Sequence, residues 1–323
     1  MNLLRNLCAA MVLAMTCAFA SSTMAQSYPA KPVRLVVAFT AGSGTDIIAR
    51  AVGDTLSKSL GQAVVIENRP GAGGTIAAGA VAKADPDGYT FLIHSTGHTV
   101  NPAIYPNLTY DTARDFAGVS PLANLPNVMV VTPGRYKTVQ DIVKAAKANP
   151  GKLNFGSAGN GSATHMNAEK FRAAAGFDAV HIPFKGTPEA LSEVMAGRLD
   201  FFFAPIVSAL QLIREGKLTA LAVGTAKRAV LLPEIPSTVE LGYPGSDFNF
   251  WVGLFAPAKT PRDIINRMNM EVTKALQSPE IRERYASLGA EPFPMKPEEF
   301  DAYVASEIEL NGKIVKAAGI KAN

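Results

Sequence analysis

Arg34-Leu35-Val36-Val37-Ala38-Phe39-Thr40-Ala41-Gly42-Ser43-Gly44-Thr45-Asp46 is the stretch that sets the fold class. Its first six residues form a near-continuous apolar run, as expected of a strand whose two faces are both covered by helices. A glycine-rich turn follows. Ile47, Ile48, Ala51, Val52, Leu56 and Leu60 then recur at helical spacing until Gly61 supplies a left-handed stop. Strand, turn and helix in direct succession are the building unit of an α/β protein with largely parallel sheets.

The same rhythm runs outward along the chain. Ala63 to Glu67 and Thr90 to His94 read as strands, separated by a small-residue helix from Thr75 to Ala84. A further unit opens with Val128-Met129-Val130-Val131. Thr138 is placed to cap a helix that Asn149-Pro150-Gly151 ends. Leu153 to Ser157, Val180 to Pro183, Leu199 to Phe203 and Leu218 to Val223 supply more strands, with helices starting near Ser162, Thr187 and Pro205. Beyond a Pro- and Gly-rich loop from Pro233 to Ser246, Trp251 to Ala256 reads as one more strand. Only helices are expected after it, opening at Pro261, Pro279 and Pro297, each proline suited to a first helical turn. No repeat recurs at a fixed period; the two halves are parallel in architecture alone.

A length of 323 residues fits two domains at roughly 150 residues each. Hydrophobic residues make up 48% and charged residues 18%, which excludes a disordered chain. The net charge is +4 and no segment gathers the basic residues into a patch, so nucleic acid is not an expected partner. Residues 1–25 read as an export signal: Arg5 precedes the apolar run Leu7 to Phe19, which is shorter than the ~20 residues of a spanning helix. Ala18-Phe19-Ala20 and Thr23-Met24-Ala25 are alternative cleavage sites, of which the second leaves a short lead before the first strand. A membrane anchor, and a lipoprotein modified at Cys17, are the weaker alternatives. Cleavage after Ala25 leaves 298 of the 323 residues and removes both cysteines, Cys8 and Cys17. The mature chain then has no disulfide, and its stability rests on large cores. The periplasm of a Gram-negative bacterium is the expected location.

Two turns stand out as candidate binding elements, because ligands of open α/β sheets lie beyond the carboxyl ends of strands. Around Thr40 to Asp46, backbone amides and the positive end of a helix dipole make an anion-binding concavity. Phe39, Ala41, Gly42, Ser43, Gly44, Thr45 and Asp46 are its candidates. Ile47 stands where a dinucleotide fingerprint has its third glycine, and no lysine completes a phosphate loop, so no cofactor is expected. The second turn, Gly156 to His165, contributes Ser157, Gly159, Asn160, Gly161, Ser162, Thr164 and His165, its hydroxyls and amides suited to a second face of the same anion. Neither turn contains Gly-x-Ser-x-Gly, and neither Ser157 nor Ser162 has an evident His-Asp relay. Phe184, Lys185 and Gly186 close another strand near the same cleft, and Ser95, in the loop after the Thr90 to His94 strand, is a further candidate.

His94 and His98 are four residues apart, but the first reads as strand and the second as loop, so they should not share a face. With no cysteine and only scattered carboxylates, no metal site is expected. His181, inside an apolar strand, reads as structural. Asn68-Arg69-Pro70-Gly71-Ala72-Gly73-Gly74 reads as a rigid turn that brings the next helix close to the sheet.

These motifs, in this order, resemble the periplasmic solute-binding proteins of tripartite tricarboxylate transporters, the Bug family. The resemblance is carried by Phe39 to Asp46, Val64 to Gly74, Pro86-Asp87-Gly88-Tyr89, Asn149 to Asn154, Gly159-Asn160-Gly161-Ser162, His181 to Gly186 and Gly216-Lys217-Leu218. Leu288-Gly289-Ala290 and Pro297-Glu298-Glu299-Phe300 extend it across the mature chain. It implies two α/β lobes of the periplasmic-binding-protein type joined by two crossover strands. Residues 26–126 and 250–323 would form one lobe and 127–249 the other, with crossings near Pro126 and Asn249. It also implies an organic carboxylate held by amides and hydroxyls of the two turns, partly through water and without an arginine clamp. A receptor of this kind is a monomer that delivers its ligand to membrane transporter subunits and does no chemistry of its own. Its rivals are a sensor-kinase partner and an enzyme, for which no acid and base face one pocket. One departure stands out: where relatives carry Asp-Asn after a strand, this chain reads Phe203-Ala204-Pro205-Ile206. Ala204 and Pro205 thus make a polar pocket position apolar, which favours a longer or aromatic carboxylate.

Overall fold

The chain is described by a computed structural model over residues 28–320. The expected leader, residues 1–25, and both cysteines lie outside the described residues. From Lys31 onward the chain clusters as one unit, built on two sheets. The first has the strand order β11-β4-β10-β3-β1-β2 and the second β7-β6-β8-β5-β9.

The first sheet takes β1 (Val33–Val37), β2 (Val64–Asn68), β3 (Thr90–Ser95), β4 (Phe116–Asn124), β10 (Trp251–Pro257) and β11 (Glu291–Pro292). Around it lie α1 (Gly44–Leu60), α2 (Thr75–Ala82), α3 (Gly97–Ile104), α8 (Arg262–Gln277), α9 (Pro279–Leu288) and α10 (Pro297–Ala318). The second sheet takes β5 (Asn127–Val131), β6 (Asn154–Ser157), β7 (Val180–Pro183), β8 (Phe201–Pro205) and β9 (Thr219–Val223), with α4 (Val139–Ala148), α5 (Ala163–Ala175), α6 (Thr187–Met195) and α7 (Ile206–Arg214). Each sheet with its helices is one lobe.

Central strands are buried on both faces. Phe201 and Phe203 of β8 enter a core with Phe155 and Phe171, while Phe202 and Ala204 point to the other face among Val128, Val130 and Val194. The period of two in a strand divides one apolar run between two cores. In the first lobe Trp251 and Phe255 of β10 meet Phe300 of α10. Gly253 makes that approach possible, since a Cβ there would sit 2.6 Å from the Phe300 ring.

Three expectations are corrected. The sheets are mixed: β1 runs parallel to β2 and β3, and β6 to β7 and β8, but β10 is antiparallel to β3 and β4, and β5 to β8 and β9. A strand that re-enters a lobe from the other one arrives in the opposite sense. Helices are not alone after β10, because Glu291 and Pro292 pair with Asn124 and Ala123 at the sheet edge. Pro261 is the residue before α8 rather than its first, while Pro279 and Pro297 do open their helices. Thr138 caps α4 through a reciprocal box: its hydroxyl accepts from the Asp141 amide at 3.1 Å and its own amide donates to the Asp141 carboxylate at 2.9 Å.

β4 ends at Asn124 and β5 begins at Asn127 in the other sheet. The return passes through Phe250, whose carbonyl accepts from the Leu125 amide at 2.7 Å. The two connections are therefore held side by side by a backbone hydrogen bond.

Candidate functional site

The first turn folds because Gly42 adopts φ 84°, open to glycine without strain, and because the Ser43 amide donates to the Thr40 carbonyl at 3.1 Å. Ser43 then has the backbone of a helix N-cap, φ −68° and ψ 154°, yet its side chain makes no capping bond to α1. The amides of Gly44, Thr45 and Asp46 consequently have no acceptor among the described residues. These are the orphan donors that every helix start leaves.

The Asp46 carboxylate turns back on its own turn. It is buried and accepts from the Gly42 amide, Arg50 Nε and Asn68 Nδ2 at 2.8–2.9 Å. Burial alone would raise its pKa, but the hydrogen bonds from Arg50, Gly42 and Asn68 together outweigh it and hold the carboxyl below its ordinary range. Asp46 is a brace for the turn.

In the second turn Ser162 has nearly the same backbone, φ −64° and ψ 158°, and does cap its helix, accepting from the His165 amide. Thr164 Oγ1 accepts from the Ala158 amide at 2.9 Å. The amides of Ala163 and Thr164 have no acceptor among the described residues. Ser157 Oγ lies 2.6 Å from His181 Nε2 and also accepts from the Gly159 amide at 3.0 Å. A histidine thus stands beside Ser157, but the hydroxyl is fully buried and, among the described residues, no carboxylate is hydrogen-bonded to that imidazole to make a His-Asp relay.

His165, a candidate of the second turn, is buried. Its ring stacks on His181 with centroids 3.9 Å apart, and its Nδ1 accepts from the Gly161 amide at 3.1 Å. Burial pushes His181 down to about 4 and His165 well below its ordinary value, so both are neutral at pH 7. Gly161 has therefore already committed its amide.

Beyond the strand ends the two turns meet across the lobes. Phe39, Ser43, Gly44, Thr45, Ser95, Ala158, Ser162, Ala163, Thr164, Thr187, Pro205 and Phe250 surround a narrow cavity. Only about 10 Å³ of it is open to the centre of a water-sized sphere. The lobes are shut upon each other. Ser43 Oγ accepts from the Thr187 amide at 3.1 Å, and Thr40 donates to the Glu189 carboxylate at 3.0 Å. Ser208 donates to the Gly42 carbonyl at 3.1 Å and Tyr105 to the Asn160 carbonyl at 3.0 Å.

Eight of the residues singled out from sequence border this cavity: Phe39, Ser43, Gly44, Thr45, Ser95, Ser162, Thr164 and Pro205. The others do not, for separate reasons. Ala41 and Lys185 are exposed. Phe184 packs against the second lobe's core and Ala204 is inside it. Gly42, Gly159, Asn160, Gly161 and Gly186 make the lobe-to-lobe contact: a Cβ on Gly161 would stand 2.8 Å from Asn101 Oδ1, and one on Gly186 2.6 Å from Ser43 Oγ. Ala158, Ala163, Thr187 and Phe250 border the cavity without having been singled out. Thr187 was visible as the start of a helix after Gly186; Phe250 carried no signal beyond its place before β10.

The glycine cluster at 71–74 has a larger part than a rigid turn. Gly73, at φ 60°, lies against the Asn160 carbonyl of the other lobe, and Gly74 lies against the His94 ring, with no room for a Cβ at either. The separation expected for His94 and His98 is also corrected. Gly97–Ile104 is helical, and the two rings lie 5.1 Å apart in a pocket with Tyr110, Phe116 and Phe255. Burial drives His94 to about 4 and His98 well below its ordinary value. Among the described residues no three metal-ligating side chains gather, and no helix is long and apolar enough to cross a membrane.

Residues 48–320 match the sequence profile of the tripartite tricarboxylate transporter family receptor. The chain belongs to that family. Protein BugT of Bordetella pertussis is 33% identical to this receptor over 99% of each chain. A structure of an R. palustris protein with adipate superposes at a TM-score of 0.87, with 35% identity over 91% of the receptor and 99% of that chain. MatC from Rhodopseudomonas palustris, with bound malate, gives 0.84 and 33% identity over 89% of the receptor and 100% of that chain. Family membership makes the receptor a solute-binding protein of the periplasmic type rather than an enzyme.

Proposed function

We propose that this receptor captures a small organic carboxylate between its two glycine-rich turns and delivers it to the membrane subunits of a tripartite tricarboxylate transporter. The observation that carries the reading is the convergence of two helix starts with uncommitted amides, Gly44 and Thr45 on one lobe and Ala163 and Thr164 on the other, around one cavity. Each helix end contributes about 0.3–1 kcal/mol toward an anion at an exposed site and more in a dry cleft. No charged side chain borders the cavity among the described residues. Ser43, Thr45, Ser95, Ser162, Thr164 and Thr187 supply hydroxyls for the carboxylate. Phe39, Phe250 and Pro205 form apolar walls for the rest of the ligand, which favours a long or aromatic acid over one with a second group needing a cation. The relatives holding adipate and malate support the carboxylate class.

The lobes in this reading are residues 26–126 with 250–323, and 127–249, hinged near Pro126 and Asn249. The receptor is a periplasmic monomer released from residues 1–25 by signal peptidase, and nucleic acid is not among its partners. Native mass spectrometry of freshly purified protein, followed by a thermal-shift screen of aliphatic and aromatic mono- and dicarboxylates, tests it. A ligand at ~100 times its dissociation constant stabilises by about 2.7 kcal/mol. No shift across both series would overturn the reading.

A further inference from the structure

Ser43 is a capping residue in the service of the wrong helix. Its backbone is set to cap α1, but its hydroxyl accepts instead from the amide of Thr187, the first residue of α6 on the other lobe. That helix has no cap of its own, because Gly186 precedes it. Glu189, its third residue and so the usual reciprocal partner of a capping side chain, reaches across to Thr40 Oγ1 at 3.0 Å. Thr40 and Ser43 hydroxyls lie 3.3 Å apart. The start of α6 is thus completed by two residues of the other lobe.

We infer that Ser43 is a positioning residue whose hydroxyl exchanges between two helix starts as the lobes move. When they are shut it accepts from Thr187. When they part, Thr187 is carried away, and the N-cap backbone of Ser43 returns its oxygen to the Asp46 amide, as Ser162 does for His165. Self-capping occupies the Asp46 amide, the donor of the same helix start that follows Gly44 and Thr45 at the cavity, and closure frees it. Anion capture and closure then favour each other, since an anion competes with the hydroxyl only while the lobes are apart. This coupling rests on the carboxylate reading; the exchange itself does not.

The test needs no ligand. Amide hydrogen exchange of Asp46 and Thr187, read by NMR on the mature protein, reports the two partners separately. In Gly186→Ala the new Cβ overlaps Thr40 Oγ1 and Ser43 Oγ, so the bond to Thr187 cannot form, while φ −170° at this position suits alanine. The Asp46 amide should then exchange about fivefold more slowly than in wild type and Thr187 correspondingly faster, and Ser43→Ala added to that variant should abolish the Asp46 protection. An unchanged Asp46 rate in Gly186→Ala overturns the exchange. Should that variant not fold, Ser43→Ala alone is read: the Thr187 amide should exchange about fivefold faster and recover in Ser43→Thr, and an unchanged rate overturns the proposal. Because no carboxylate is present, failure here is distinct from failure of the binding screen.

Discussion

The two turns that meet in the cleft are nearly superposable in backbone and opposite in habit. Ser43 and Ser162 share φ and ψ within 5° and both precede a helix. Ser162 is tied down within its own lobe by the His165 amide and Thr164, and the His165–His181 stack lies behind it. Ser43 and Thr40 spend their hydroxyls on the other lobe. One turn is a finished wall and the other is completed only by closure. Backbone geometry alone does not tell them apart, because the difference lies in partners more than a hundred residues away.

The largest effect that would sharpen this contrast is expected at Gly161. Its φ of 75° and the nearness of Asn101 Oδ1 mean that Gly161→Val combines backbone strain with a blocked closure. Strain of about 1–3 kcal/mol should leave a folded lobe, while ligand affinity falls by roughly a hundredfold or more, as an obstruction worth about 2.7 kcal/mol would produce. Calorimetry beside circular dichroism checks both; full affinity in the folded variant would break the account of the second turn as a closing surface.

A smaller difference separates the two serines. Ser162→Ala removes a true cap and should cost about 1 kcal/mol of stability, read from urea unfolding without ligand. Ser43→Ala should cost a similar amount, because its hydroxyl serves α6 with the lobes shut and α1 with them apart, but only this variant should speed amide exchange on both lobes, at Asp46 and Thr187, where Ser162→Ala acts at His165 alone. Exchange changed on a single lobe in Ser43→Ala would erase the distinction.

Acid should also act unevenly. His165 behind the second turn and His94 and His98 in the first lobe are buried, His181 is half-buried, and all four are neutral with lowered pKa values, so the unfolded chain takes up their protons first. The stability they hold is complete above about 6.5 and falls as pH drops toward 4. Asp46 has the opposite chemistry and a lowered pKa, so its brace weakens only below its ordinary value near 3.8. Melting temperatures from pH 8 to 4.5 should decline below 6.5, and a flat profile would mean that the imidazoles are not buried in solution. The smallest effect belongs to Lys185, exposed and away from the cavity. Lys185→Ala should change affinity by less than about twofold, within the ±0.5 kcal/mol of an ordinary surface substitution.

Much of the fold was legible because local chemistry and final placement agree. The β1 run, the Thr138 cap and the edges of β7 follow from neighbours in the chain. β4 escaped because Pro121 sits inside it, a residue that argues against a strand; the ladder with β10 tolerates it through register shifts on either side of Gly253 and Leu254. α3 escaped because Gly97 opens it and Pro102 interrupts it. For the site, strand-to-helix turns announced Ser43, Gly44, Ser162 and Thr164. Phe250 and the Ser43–Thr187 bond, spanning 144 residues, depend on how the lobes close, which no local pattern encodes.

The most direct measurement of the central claim is an amide chemical-shift titration of the isotope-labelled mature protein with the carboxylate recovered from it. The account predicts that the largest downfield changes fall on Gly44, Thr45, Ala163 and Thr164, on both lobes together and saturating with one constant. Changes confined to a single lobe, or centred on an outer groove such as that between Lys274 and Lys296, would contradict it.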